Sequence, residues 1–271
     1  MFDHKKVEIA SNRIRQNILK MTYHAGTYGA HIGGGLSLVE ILATLYFGGM
    51  NVCPEMKESE KRDRLILSKG HGAIALYATL KEAGFLKEDD LLNFKHDGGE
   101  LWTHPRKCLQ YGIEFSSGSL GQGLSWAAGV GLALRKKNNF SHLYVVIGDG
   151  ECDEGAVWEA ASFISHHNLS NITVVIDENK LQLDAPTKEI VNKDNLSKRW
   201  EAFGFEVLQV DGHNVKKLFE AFKHSAQKPL AILARTIKGK GVSFIENNPE
   251  WHVHPLTQQQ YDQAMGELIY D

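Results

Sequence analysis

The second half of the sequence alternates between short apolar runs typical of strands and amphipathic segments typical of helices. The predicted strands are 143–147, 172–176, 205–210 and 230–236, and the predicted helices between them are 155–167, 195–203 and 214–226. Strands that are separated by helices pair in parallel through right-handed crossovers. The alternation therefore predicts an α/β fold with three layers, αβα, around a central and mainly parallel sheet.

The first half of the sequence adds further helices to this arrangement. Val7, Ala10 and Ile14 recur at helical spacing, which predicts an amphipathic first helix. Ser37 precedes Glu40 by three residues, which predicts a capping box at the start of a second helix. Further predicted elements are a strand at 64–68, a helix ending near Gly84, a helix rich in small residues at 119–134 and a terminal helix at 258–269.

One long segment, from His96 to Ser117, shows neither helical nor strand periodicity. A loop of this length inside a compact domain is usually functional or disordered. No internal repeat, low-complexity tract or linker interrupts the sequence, so residues 1–271 are expected to form a single domain.

Charge and cysteine content exclude several classes of protein. The chain has 30 basic and 33 acidic residues, and this balance gives no support to a nucleic-acid-binding or membrane-surface protein. Cys53, Cys108 and Cys152 form no CxxC pair and are expected to be reduced thiols. The polar N-terminus and the lack of an apolar run long enough to span a bilayer predict a cytoplasmic protein.

Polar residues follow two successive predicted strands where each strand ends. Gly148-Asp149-Gly150 comes after the run 143–147, and Asn179 comes shortly after the run 172–176. Parallel strand ends lie at one edge of the sheet, where ligands collect, so Asp149 and Asn179 are expected to converge. Their oxygens suit Mg²⁺ held against a phosphate, and the glycines let a phosphate approach backbone N–H groups. The pair predicts a diphosphate–metal site.

Four histidines lie in turn-like surroundings, namely His31, His71, His104 and His252. An isolated histidine is more often a surface or capping residue than a functional one. Four in irregular loops of one chain favour function, because loops on a rigid scaffold carry many binding groups. A neutral imidazole can both donate to and accept from a sugar hydroxyl or a phosphate.

Two acids and two lysines are weaker candidates. Glu154 and Glu159 lie at the start of a predicted helix, where acidic residues are favourable for purely structural reasons. A buried carboxylate that relays protons is the alternative for each. Lys238 and Lys240 lie in a glycine-containing loop and could bind phosphate, although such lysines are more often solvated.

These segments together resemble the transketolase family of thiamine diphosphate enzymes. The matching segments run in order from about residue 10 to 255 and are Ala30-His31-Ile32-Gly33-Gly34, Leu67-Ser68-Lys69-Gly70-His71-Gly72, Trp102-Thr103-His104-Pro105, Ser116-Ser117-Gly118-Ser119-Leu120-Gly121-Gln122-Gly123, Gly148-Asp149-Gly150 with Asn179, Lys238-Gly239-Lys240-Gly241 and Glu250-Trp251-His252. Ile32 and Ser119 replace prolines found in long transketolases, which makes the chain similar to the short, two-subunit branch.

The resemblance implies roles for the candidate residues at the cofactor. Thiamine diphosphate and Mg²⁺, or Ca²⁺ or Mn²⁺ in its place, are the implied cofactors. The implied metal ligands are the side chains of Asp149 and Asn179 and the carbonyl of Leu181. The residues implied near the diphosphate are Gly150, His71 and His252, and those implied at the aminopyrimidine are Gly118 and Leu120.

The resemblance also implies roles in proton transfer. His31, His71, His104 and His252 would line the sugar channel, where they would polarise hydroxyls and move protons. Glu154, and with less support Glu159, would belong to a proton network that joins paired cofactor sites. The tail His252-Val253-His254-Pro255 is less typical of the family, so either His252 or His254 could face the site.

The implied activity is transfer of a two-carbon ketol unit from a ketose phosphate to an aldose acceptor. The pyrimidine-binding and C-terminal domains of the family are absent from residues 1–271 and are expected on a second chain, in an α₂β₂ assembly that is inactive without it. Three alternatives stay open: half of a deoxyxylulose phosphate synthase, a 2-oxo-acid dehydrogenase alpha chain, or a non-catalytic regulatory homologue.

Overall fold

The computed structural model describes residues 2–183, 185–191 and 195–268. Within these ranges the chain forms five strands and eleven α-helices, which are joined by shorter turns. The strands are β1 (Arg64–Leu67), β2 (Leu143–Gly148), β3 (Ile172–Glu178), β4 (Glu206–Asp211) and β5 (Leu230–Arg235). The helices are α1 (His4–His24), α2 (Ile32–Leu36), α3 (Val39–Thr44), α4 (Ala73–Glu82), α5 (Glu88–Leu92), α6 (Gln122–Lys136), α7 (Gly155–His166), α8 (Thr187–Ile190), α9 (Leu196–Ala202), α10 (Val215–Phe222) and α11 (Gln258–Glu267).

The five strands form one parallel sheet in the order β1-β2-β3-β5-β4. In the pairing of β2 with β3, Gly148 lies opposite Asp177, so the two strands end at the same level. Asp149 directly follows the first of these residues and Asn179 lies two positions after the second. The register therefore brings the two predicted metal ligands to one edge of the sheet.

Alternate residues of the central strands pack into two separate cores, one on each face of the sheet. Val145 and Ile147 of β2 pack with α6, α7 and α9, whereas Tyr144 and Val146 pack with α1 to α4, α10 and α11. Successive side chains of a strand point to opposite faces, so a strand buried on both faces is apolar throughout. The two cores confirm the predicted three-layer α/β architecture with a parallel sheet.

Two glycines let the start of α6 lie against the end of β1. Gly121 precedes α6 at a φ of 81°, a conformation that glycine adopts without strain. A Cβ atom at Gly123 would lie 2.5 Å from the side chain of Ser68, which immediately follows β1. The small residues predicted for this helix thus permit a close approach of two backbones.

The predicted helices and strands of the second half agree with the structure to within a few residues. The terminal helix was predicted to reach Ile269, which lies outside the described residues. The predicted capping box is wrong, because α3 begins at Val39 after Leu38, which makes no side-chain cap. Instead Ser37 donates to Asp177, 2.7 Å away, and Glu40 binds His213. Among the described residues, none of the helices combines the length and apolar character needed to cross a bilayer.

Candidate active site

The four predicted histidines meet in one cluster, although they come from four separate loops. His31 precedes α2, His71 lies in the turn after β1, and His252 follows a turn at Pro249–Trp251. The ring centre of His31 lies 5.9 Å from that of His71, 5.6 Å from that of His104 and 5.2 Å from that of His252. The cluster, His31, His71, His104 and His252, is hereafter the histidine cluster.

Burial and nearby positive charge lower the pKa values of His31, His71 and His104, so these three rings are neutral at pH 7. Burial, with smaller contributions from His252 and His104, lowers the pKa of His31 to about 3. Burial and then the Lys69 ammonium hold the pKa of His71 well below its usual range. Burial and then Lys95 lower the pKa of His104. Each neutral ring offers one donor and one acceptor, which suits binding of a polyhydroxylated substrate.

His252 joins the cluster and His254 does not. The Nδ1 atom of His252 lies 3.1 Å from the Nζ of Lys238, so it accepts from the ammonium and the neutral ring carries its proton on Nε2. Burial and then Lys69 lower the pKa of Lys238 to about 8. The ring of His254 instead packs on Trp251, with ring centres 4.3 Å apart.

Asp149 and Asn179 lie together at the edge of the sheet, and one loop holds both. The Lys180 backbone N–H donates to Asp149 Oδ2 over 2.9 Å, and the Leu181 N–H donates to Asn179 Oδ1 over 3.1 Å. Gly150 donates to Asp149 Oδ1 over 2.8 Å. Lys180 adopts a φ of 64°, which is uncommon for a residue other than glycine. This turn directs backbone groups at both predicted ligands.

The donor set fits a small divalent cation. Asp149 is 5% exposed, and its described hydrogen bonds come from neutral donors, including the Thr187 hydroxyl at 3.3 Å. Burial and then the charge of Asp177 raise the pKa of Asp149 to about 6, so a cation would relieve its charge. No cluster of three or more His, Cys, Asp or Glu side chains suited to a metal occurs among the described residues. A single carboxylate therefore leaves most ligand positions to neutral oxygens, phosphate and water.

A fully buried ion pair lies beneath these ligands. Lys69 Nζ is 2.5 Å from Asp177 Oδ2, and the two side chains are 1% and 0% exposed. Ser37 and the Thr236 hydroxyl also donate to Asp177. Although burial opposes its ionisation, the Lys69 ammonium and these hydrogen bonds hold the pKa of Asp177 below its usual value. Asn179 Nδ2 donates to the same carboxylate over 3.2 Å, which fixes which side of its amide carries the oxygen.

Neither Lys69 nor Asp177 was predicted to have a role. The sequence did carry one signal, because Asp177 directly continues the apolar run 172–176 of a strand that is buried on both faces. A charge in such a run must be paired, since an unpaired buried charge is strongly unfavourable.

Glu151 is a third buried charge that was not predicted. It is 2% exposed, and its Oε1 accepts from the Ser68 hydroxyl over 2.5 Å and from the Gly121 N–H over 2.8 Å. Its Oε2 accepts from the Gly148 N–H over 3.2 Å, and the Gly123 N–H donates to the Ser68 oxygen. Glu151 therefore ties the ends of β1 and β2 to the first turn of α6, whose N–H groups lack helical partners.

The remaining predicted residues border this region. Gly118 is exposed and Leu120 is half-buried in the segment that Glu151 fixes. Glu154 is exposed, and its Cβ lies 3.0 Å from the place where a Cβ on Gly121 would be. Glu159 is exposed on α7. The structure thus leaves Glu154 and Glu159 exposed in this chain, whereas the nearby carboxylate of Glu151 is buried.

Changing Glu151 to glutamine should weaken binding of thiamine diphosphate, the cofactor that the resemblance implies, by roughly tenfold, because an amide NH₂ would face one of the N–H or O–H donors that now share the carboxylate. The affinity is measured by calorimetry in the presence of Mg²⁺ and of the second chain that the resemblance implies. Glu220→Gln, an exposed acid on α10, is the matched control and should change nothing. Unchanged affinity and melting temperature in the Glu151 variant would contradict this role.

The parallel sheet and the groups at its edge define an α/β domain of the thiamine diphosphate-binding class. The family described as transketolase, thiamine diphosphate binding domain, matches residues 9–271, and the chain belongs to this family. It is accordingly part of a thiamine diphosphate-dependent transferase. This membership favours the transketolase interpretation over the synthase, dehydrogenase and regulatory alternatives.

Individual relatives agree with this assignment. The chain is 39% identical to one subunit of the apulose-4-phosphate transketolase of Actinobacillus succinogenes, over 97% of this chain and 96% of that protein. It is 42% identical to one subunit of a 6-deoxy-6-sulfo-D-fructose transketolase from a Clostridium species, over 88% of each chain. Its fold matches transketolase from Campylobacter jejuni with a TM-score of 0.89 and 29% identity, over 98% of this chain and 43% of that one.

Proposed function

We propose that this chain is the N-terminal, diphosphate-binding subunit of a split transketolase. In this role it transfers a two-carbon ketol unit from a ketose phosphate to an aldose acceptor. The observation that carries the proposal is that the histidine cluster adjoins the Asp149–Asn179 pair. His71 of the cluster lies two residues after Lys69, and Lys69 pairs with Asp177, the carboxylate that also accepts from Asn179. Bound thiamine diphosphate would supply the carbanion chemistry that carries the two-carbon unit.

The diphosphate end of the cofactor and its metal would be held by the edge of the sheet. Asp149 and Asn179 would bind Mg²⁺, or Ca²⁺ or Mn²⁺ in its place, through side-chain oxygens, and Leu181 would bind it through its carbonyl. The Gly150 N–H lies at the start of the turn that would approach a phosphate. His71, His252 and Lys238 supply donors on the side of the histidine cluster.

The histidine cluster would handle the protons of the substrate hydroxyls. Neutral rings can accept a proton from a hydroxyl and return it, and general acid–base catalysis needs such groups within hydrogen-bond reach. His252 is oriented by Lys238, which occupies its Nδ1 and leaves Nε2 as the proton-bearing atom. We assign the same exchange to His31, His71 and His104, and a place in a proton network between paired sites to Glu154.

The chain would act together with a second chain. Three relatives that match it over most of their length are named as subunits of transketolases, which implies a partner. We propose that the partner carries the pyrimidine-binding and C-terminal domains and completes the cofactor site at Gly118 and Leu120, which would contact the aminopyrimidine. The two kinds of chain would form an α₂β₂ assembly in the cytoplasm. One domain, residues 1–271, would then supply the diphosphate half of each site.

The sugar need not be an ordinary pentose phosphate. Apulose 4-phosphate and 6-deoxy-6-sulfo-D-fructose appear in the names of relatives, one with a branched carbon skeleton and the other with a sulfonate. Both carry an anionic group at the end remote from the ketol unit. We therefore propose an anionic ketose, phosphorylated or sulfonated, as the substrate class.

The proposal is tested by reconstitution with the partner chain. The purified chain with thiamine diphosphate and Mg²⁺ should show no ketol transfer, and addition of the partner should restore it, because half of the cofactor site is missing otherwise. Transfer is measured as formation of a ketose two carbons longer than the aldose acceptor. Robust transfer by the chain alone would contradict the split site, and release of CO₂ from pyruvate by the complex would favour a synthase.

A further inference from the structure

A cleft of about 450 Å³ opens beside the histidine cluster. Its lining includes Trp102, His104, Arg106, Ser117 and Gly118. His104 is one of the proposed sugar-channel residues, and Gly118 belongs to the segment proposed to meet the pyrimidine. The cleft is therefore continuous with the proposed substrate channel.

Arg106 lines this cleft and lies over the ring of Trp102. Its guanidinium carbon lies 4.2 Å from the centre of the Trp102 ring. In the part of the chain that the structure describes, no carboxylate forms an ion pair with Arg106. Stacking covers one face of a guanidinium but leaves its in-plane N–H donors free, and these match the oxygens of phosphate or sulfonate.

Hydrogen bonds hold the backbone of the loop that carries Trp102 and Arg106. The Tyr77 hydroxyl donates to the Trp102 carbonyl over 3.0 Å, and Tyr77 is itself buried in α4. The Lys107 N–H donates to the Ser116 hydroxyl oxygen over 2.8 Å. A loop that is ordered before a ligand arrives loses little conformational entropy on binding, so these hydrogen bonds favour a specific contact between the loop and a ligand.

The surroundings of the cleft are suited to a negative charge. Lys95 lies near enough to contribute to the lowered pKa of both His104 and His31. An anionic ligand in the cleft would thus find the Arg106 guanidinium, with the further positive charge of Lys95 behind the histidines.

We propose that Arg106, stacked on Trp102, forms a subsite for the terminal phosphate or sulfonate of a sugar substrate. The subsite rests on the proposed function, since it presumes that the substrate enters along His104. It assigns to this chain a share in recognising the anionic end of the sugar, which otherwise would fall to the partner alone. The alternative is an ion pair between the Arg106 guanidinium and a carboxylate of the partner chain.

The test compares charged and neutral ketose donors in the reconstituted complex. Arg106→Gln should raise the KM for fructose 6-phosphate or 6-deoxy-6-sulfofructose roughly tenfold, with little change in kcat and none in the KM for neutral L-erythrulose. The KM of Arg106→Lys for the charged donors should lie between those of wild type and Arg106→Gln, and Trp102→Leu should raise the KM for the same donors. Lys107→Gln, an adjacent exposed cation, is the matched control. The donor that responds identifies the anionic group.

Three outcomes would overturn the subsite. The first is an equal rise in KM for neutral and charged donors, and the second is no rise in KM for either charged donor. The third is dissociation of the complex in Arg106→Gln, seen as a lower molecular mass in solution, which would show that the guanidinium binds the partner chain. A binding measurement separates this from failure of the proposed function. Inorganic phosphate should bind to the wild-type complex and at least tenfold more weakly to the variant, even if no ketol transfer is found. Equal binding would overturn the subsite alone.

Discussion

Replacing Asp149 with alanine should abolish metal-dependent binding of thiamine diphosphate, with a loss in affinity of at least about 100-fold in the reconstituted complex. Asp149 is the one carboxylate in the proposed ligand set, because Asn179 and the Leu181 carbonyl are neutral. Without it, the cation that offsets the charge of the diphosphate has no anionic protein ligand. The measurement is a titration of the complex with the cofactor at fixed Mg²⁺.

Asp153→Asn is the control for this variant. Asp153 lies in the same turn after β2, but it is exposed, and its carboxylate binds Gln182 over 2.9 Å. The control should leave the affinity for thiamine diphosphate within about twofold of wild type, because an exposed surface charge contributes little. Equal losses in both variants would show that the turn, and not the Asp149 carboxylate, matters. Unchanged affinity in Asp149→Ala would refute the metal assignment.

The cofactor-free chain should respond differently to Asp149→Ala. The pKa of Asp149 is raised to about 6 in the folded chain, so its ionised form opposes folding. This cost is absent below the unfolded pKa near 4 and is fully present above pH 6. The stability of the variant relative to wild type should therefore improve as pH rises from about 4 to 7, as measured by urea unfolding without metal. Loss of cofactor affinity without loss of stability in Asp149→Ala would indicate that this carboxylate serves binding and not folding.

The convergence of Asp149 and Asn179 was predictable because it follows from strand pairing alone. Asp149 and Asn179 each follow an apolar run, and parallel strands of similar length end at one edge. The histidine cluster was predictable only as a set, since no spacing along the chain relates His31 to His104 or His252. Its assembly depends on how four loops fold back over the sheet, and resemblance to a family supplied that information.

The burial of Glu40 and Glu151, unlike that of Asp177, could not be predicted from the sequence. Ser37 and Glu40 have the spacing of a capping box, yet the structure uses both in contacts with distant residues. Glu151 follows Gly148-Asp149-Gly150 in a segment where acidic residues are common for helix-terminal reasons. Whether such a side chain is solvated or buried depends on what packs over it, and that partner, here the start of α6, comes from 30 residues earlier in the chain.

The second large effect is expected at the buried pair Lys69–Asp177. Lys69→Met should reduce the free energy of unfolding by about 3–5 kcal/mol, because it leaves a fully buried carboxylate without its counter-ion. The matched control is Lys137→Met, which breaks an exposed pair with Glu60 whose side chains are 61% and 69% exposed. An exposed pair contributes about 0–1 kcal/mol, so the control should stay close to wild type in urea unfolding.

The double variant Lys69→Met/Asp177→Leu separates stability from alignment of the metal ligand. Removing both charges should recover much of the lost stability, since apolar pairs often replace buried ion pairs without cost. Cofactor affinity should nevertheless stay at least about tenfold below wild type, because Asn179 loses the carboxylate that orients its amide, as when an outer-shell partner of a metal ligand is removed. If the double variant regained full affinity together with stability, the pair would serve folding alone. If it regained stability without affinity, Asp177 would be the group that holds the Asn179 oxygen in place for the cation.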